Sequence, residues 1–306
     1  EEHRHIQNLI DALGKLNRPF CGLSDTVDGQ EFFPLPQARQ MYSLRDFKVH
    51  HAPSHEVNEL VKMGPRALQL LLKSLDNNTP TMLGFSHPGI FGFMSLANEL
   101  PYNPVNPIEA RQLCEIQDAK RNRFKNIISN YTVTIGDVCF VAIGQIVGRA
   151  YEAVRYQPSG CTVVNSVSCN ADLRNTVRAL WHSDRLEEHI MTSLVYDMHT
   201  CGNKCNTDNS SAFLASQIQS NAALRLLYYY PDQSEQLVSR KLDSLLVRKD
   251  TKNPLATEAQ ADLTATHDVL NRALATHFIK AVRWCNRASI KDALLRISER
   301  TDDPEI

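Results

Sequence analysis

The sequence predicts an all-α fold of stacked antiparallel helix pairs. Apolar residues recur at i, i+3, i+4 and i+7 in several segments, and short Gly- or Pro-marked turns join such segments back to back. No stretch alternates apolar with polar residues over the length of a strand.

From the N-terminus, Ile6, Leu9, Ile10, Leu13 and Leu16 give His5–Leu16 one apolar face, and Arg18-Pro19 ends it. Residues 19–54 hold Gly22, Gly29, Pro34, Pro36 and Pro53, and read as a long loop with one short helix at Pro36–Tyr42. Val57, Leu60, Val61 and Met63 form the next apolar face, which stops at Gly64. Pro65 suits the first turn of a new helix, since its missing N–H has no partner there anyway. Ala67, Leu68, Leu71, Leu72 and Leu75 carry that helix to Asp76-Asn77-Asn78. Val138–Val147 is apolar almost throughout and reads as a buried helix, with Asp137 placed as its N-cap. Ile218–Tyr230 and residues 234–246 form another pair across Pro231-Asp232, and Val269–Cys285 with Ser289–Ser298 a last one. Cys161–Val167 is β-branched enough to suit a strand equally well.

The run Glu59–Asn77, ELVKMGPRALQLLLKSLDN, resembles a HEAT repeat: first helix, tight Gly-Pro turn, second helix, polar exit. Fainter echoes fall at 218–246 and 269–298. The resemblance implies an irregular α-solenoid with long loops, one helical repeat-like domain over 1–306 with loop-rich insertions at about 19–54 and 80–108. It also implies a surface that holds another macromolecule and no chemistry of its own.

Composition narrows the partners. Lys plus Arg number 33 against 34 for Asp plus Glu, a net charge of -1 that gives no reason to expect nucleic acid or an anionic membrane. No apolar run approaches the roughly 18 residues of a membrane span. No positively charged, apolar leader opens the chain, and localisation stays open between the cytoplasm and export.

Two surfaces suit a protein partner. The 80–108 stretch carries Phe85, Phe91, Phe93 and Tyr102 among five prolines and three glycines, and either packs over the helices or forms a contact surface. Arg149, Arg155 and Tyr156 close the most hydrophobic helix and are of the residue types that anchor interfaces. Self-association through exposed apolar surface is a further expectation.

No catalytic residue can be named. His199, Cys201 and Cys205 could supply three zinc ligands, but a second ligand pair is missing; two unpaired thiols in a polar interhelical loop are the first expectation, and a Cys201–Cys205 disulfide is favoured over metal. His182, His189 and Asp197 lie nearby in sequence. His50, His51 and His55 are split by Pro53 and lack the Glu of a helical zinc hydrolase. Ser86-His87 sits in Gly-x-Ser-x-x-Gly with no parallel strand ahead of it, which excludes a nucleophile elbow. The expected function is a non-catalytic interaction or scaffold module that needs no cofactor. The alternative is an enzyme or metal-dependent regulator, with zinc near His199–Cys205.

Overall fold

The computed structural model describes residues 1–17, 32–35, 54–87, 92–100, 127–156, 160–199, 209–245 and 274–300. The chain divides into two compact units, Glu1–Ile190 and Met191–Ile306.

The first unit is built around one helix. α1 (Glu2–Ala12) runs into a 3-10 turn at Leu13–Lys15; α2 (His55–Met63) and α3 (Pro65–Lys73) follow, with a second 3-10 turn at Ser74–Asp76. The predicted Gly-Pro turn is present: Gly64 takes φ +59°, and Pro65 opens α3. These helices pack on α4 (Ile135–Val147), of which every residue is buried. α4 is rich in Val and Ile, which propensity alone would disfavour. Burial outweighs that, each buried Val, Ile or Phe contributing about 1.5–3 kcal/mol. The helix stops at Gly148, whose left-handed φ of +73° no Cβ would tolerate well.

The expectation of an all-α fold is overturned here, because among the described residues six strands form two sheets. β1 (Pro80–Ser86) pairs antiparallel with β4 (Asn130–Thr134), bringing Phe85 opposite Tyr131 and Ser86 opposite Asn130. A four-stranded sheet has the order β3-β2-β6-β5, from β2 (Met94–Leu96), β3 (Ile127–Ile128), β5 (Val154–Tyr156) and β6 (Thr162–Val164). In it β2 and β6 run parallel, and the other pairs are antiparallel. The described parts of the apolar 80–108 stretch are therefore largely strand, and the ambiguous segment at Cys161–Val167 supplies β6. After β6, a loop at 165–170 leads into α5 (Ala171–Leu180).

α6 (Leu186–His199) runs across the division between the units. The second unit adds α7 (Asn209–Tyr229), α8 (Pro231–Ser244), α9 (274–282) and α10 (Ala288–Arg300). α8 packs against both α7 and α10. A bidentate pair from Arg296 to Asp243, at 3.0 and 2.9 Å, ties α10 to α8. Glu235 accepts from the Ser289 hydroxyl at 2.6 Å, at the start of α10. Among the described residues, no helix is long and apolar enough to cross a membrane.

Candidate functional site

Polar side chains of the first unit converge where β4, the first turn of α4 and the 165–170 loop meet. The sequence TIGD, Thr134–Asp137, builds the centre. Thr134 is the N-cap of α4 and Asp137 its third residue. The Asp137 N–H donates to Thr134 Oγ1 at 3.3 Å, and the Thr134 N–H donates back to Asp137 Oδ2 at 3.0 Å. This is a capping box, so the N-cap is Thr134 and not Asp137, which stands three residues inside it. Tyr131, on β4, donates its hydroxyl to the same Oδ2. Oδ1 of Asp137 has no hydrogen-bond partner, and the residue is 0% exposed.

The loop closes over this carboxyl. Thr134 Oγ1 donates to Ser168 Oγ at 2.9 Å, and the Ser166 and Ser168 hydroxyls stand 3.0 Å apart. Ser166 Oγ accepts the Cys169 N–H at 3.2 Å, and Ser168 Oγ lies 3.9 Å from Cys169 Sγ. Both ends of the loop are fixed. Asn165 donates to Ala153 O from its backbone and to Glu152 O from its side chain, and its Oδ1 accepts the Glu99 N–H. At the far end Asn170 caps α5, its Oδ1 accepting the Leu173 N–H at 3.1 Å. Arg174, one turn into α5, donates to the carbonyls of Val167 and Ser168 at 2.7 and 3.1 Å.

Burial pushes the Asp137 carboxyl above the usual carboxylate range, against the opposing bonds from Tyr131, Thr134 and Ser166. Burial, with the Asp137 charge beside it, drives the Tyr131 hydroxyl far up. The buried Cys139 thiol is raised by the same two causes. Cys169, in contrast, is exposed. The cluster thus runs from a buried carboxyl to a thiol at the surface through serine and threonine hydroxyls.

The residues singled out from sequence are scattered. Phe85 is half-buried on β1, and Phe93 is half-buried just ahead of β2, its carbonyl accepting the Thr162 N–H at 2.8 Å. Phe91 and Tyr102 lie outside the described residues. Arg149 is 3% exposed; its guanidinium lies 5.7 Å from the ring of Trp181 and donates to the Val147 and Gly148 carbonyls. Arg155, on β5, pairs with Glu99 and Glu152, and Tyr156 stands opposite Thr162 on β6. His199 ends α6 at the surface, its pKa lowered by partial burial and then by the Lys241 charge. Cys201 and Cys205 lie outside the described residues, as do His50 and His51. His189 Nε2 is 3.1 Å from Leu180 O, Asp197 is buried, and His182 is exposed. Ser86 ends antiparallel β1, and His87 Nε2 lies 3.2 Å from Gly160 O. Among the described residues, no group of three His, Cys, Asp or Glu could hold a metal ion.

Tyr131, Ser166 and Ser168 were not legible as site residues. The Thr134-x-x-Asp137 spacing was the available signal, since Ser or Thr followed three residues on by an acid marks a capping box. Comparison with family models, with curated proteins and with solved structures returns no match.

Proposed function

We propose that this chain is a protein-interaction module without catalytic chemistry of its own, and that it meets its partner through the outward face of the β1–β4 ribbon. One observation carries the reading: that face is uncharged. Pro80, Met82, Gly84 and Ser86 of β1 and Asn130 and Thr132 of β4 are all exposed, and no residue of 80–86 or 127–134 is ionisable apart from Tyr131. In a chain with 22% charged residues, such a stretch is where depletion of charge favours contact with another protein. Met82 is 67% exposed, and Ile127, three residues ahead of β4, is 64% exposed. Strand surfaces that meet only water usually carry charges against unwanted pairing.

Photo-crosslinking tests it. A benzoylphenylalanine at position 82, in the full chain and in extract of the source cells, is expected to give one discrete adduct. The same probe at exposed Gln69 on α3 should give none, and Thr132→Lys should abolish the adduct. Equal labelling from both positions, or no discrete adduct from 82, would sink the proposal. An adduct of twice the chain's mass would identify the partner as a second copy.

A further inference from the structure

We infer that the ribbon face takes an extended, uncharged segment of its partner, whose backbone comes down onto the strand at Gly84. The inference rests on the interaction reading above and names what the partner presents.

Gly84 lies inside β1, exposed and opposite Thr132 of β4. Glycine weakens a strand, because it loses more backbone freedom on folding and has no side chain to pack. Two internal reasons would account for it, and neither holds. A left-handed φ occurs at Gly64, Gly92, Gly148 and Gly160, but not at Gly84. A Cβ would lie 2.2, 2.5 and 2.6 Å from a carbonyl oxygen at Gly92, Gly136 and Gly144. At Gly84 the nearest atom among the described residues would be Tyr131 O at 4.0 Å, an ordinary contact. The register does shift between Pro80 and Gly84, but a bulge calls for glycine where the backbone is left-handed. What remains is the outer side, where glycine in a strand lets another backbone approach closely.

The surroundings state the chemistry. Met82 and Ser86 flank Gly84 on the same face and Thr132 stands opposite, so the missing side chain leaves a notch among them. None of the three is charged. A charged group seated there would give up water without meeting a counter-charge, so the segment is uncharged. Met82, 67% exposed, has the flexible side chain to close against whatever passes.

Size selects an extended segment over a folded surface. The seven residues of β1, at about 3.3 Å each, and two strands spanning about 10 Å offer on the order of 230 Å². A stable interface between folded proteins takes about 800 Å² per partner. The notch is also narrow. Met82 and Ser86 stand about 13 Å apart along the strand before their side chains close the gap. A helix about 10–12 Å across does not enter it. An extended chain, about 5 Å wide, does.

The test uses random short peptides displayed on phage and panned on the full chain. A recovered peptide is titrated by fluorescence anisotropy against wild type, Gly84→Ala and Gly84→Val, with a urea midpoint for each protein. The recovered peptides should be uncharged through their middle. Affinity should fall several-fold in Gly84→Ala and further in Gly84→Val. Both midpoints should hold or rise, since valine suits a strand better than glycine. Equal affinity in all three proteins, recovered peptides charged through the middle, no recovered peptide, or a lower midpoint in Gly84→Ala would each overturn the inference. The benzoylphenylalanine probe keeps two failures apart. An adduct from position 82 that survives Gly84→Val at full yield, or one of twice the chain's mass, removes the segment and leaves the interaction module standing. No discrete adduct from 82 in the otherwise wild-type chain removes the module itself.

Discussion

At Gly144 helix α4 and the chain leaving it come closer than any side chain allows. A Cβ there would lie 2.6 Å from Arg149 O and 2.8 Å from Tyr151 Cβ, and the first of these is backbone that cannot swing away. Overpacking of this kind costs about 1–3 kcal/mol, whereas Ala in place of Gly in a helix returns at most about 1. Gly144→Ala should therefore lower stability, visible as a lower urea midpoint with an unchanged slope. Gly14→Ala is the control. The nearest atom to its Cβ is Ile135 Cδ1 at 3.8 Å, so the change should be neutral or stabilise by up to about 1 kcal/mol. Equal midpoints for the two variants would refute the close approach. The same pair marks what single residues disclose. Gly64 before Pro65 announced its turn because the chemistry is local. Nothing beside Gly144 in the sequence says that Tyr151 folds back on it.

Elements were legible in proportion to how much of their burial the sequence pattern expressed. α4 could be read from the nearly unbroken apolar run Val138–Val147, and α2 with α3 from two clean faces and the turn between them. β1 could not, because its burial runs against its hydropathy. Thr81 and Leu83 face inward while Met82 faces water. Thr81 is at home inside only because its hydroxyl donates to Val133 O at 2.8 Å and accepts the Leu83 N–H at 3.1 Å. β2, β3, β5 and β6 have two or three residues each, too few for alternation to show. It follows that Thr81→Val, nearly isosteric, should cost about 1–3 kcal/mol by stranding two backbone groups. Met82→Thr should stay within about 0.5 kcal/mol, as for an exposed site. Hydrogen exchange should locate the damage in 80–86 and 130–134. A Met82 variant harmed more than the Thr81 variant would mean that the strand is turned the other way.

For the whole molecule, a sequence read as one helical array divides into two units, and the physical content of that division is cooperativity. Each unit has its own core: α4 and its surrounding helices and strands in the first; Leu224, Leu227, Val238, Leu242, Phe278 and Ile290 in the second. The chain's two tryptophans fall one to each. Trp181 is 2% exposed and donates to Tyr151 Oη at 2.9 Å, while Trp284 is half-buried and donates to Ala281 O at 2.7 Å. Two single-tryptophan proteins, Trp284→Phe and Trp181→Phe, therefore report the first and the second unit in turn. Adding Gly144→Ala to each should move the Trp181 urea transition to lower denaturant and leave the Trp284 transition in place, since sites in separate cores that share no partners do not couple. If both transitions move together, the two units unfold as one body and their cores are a single cooperative system.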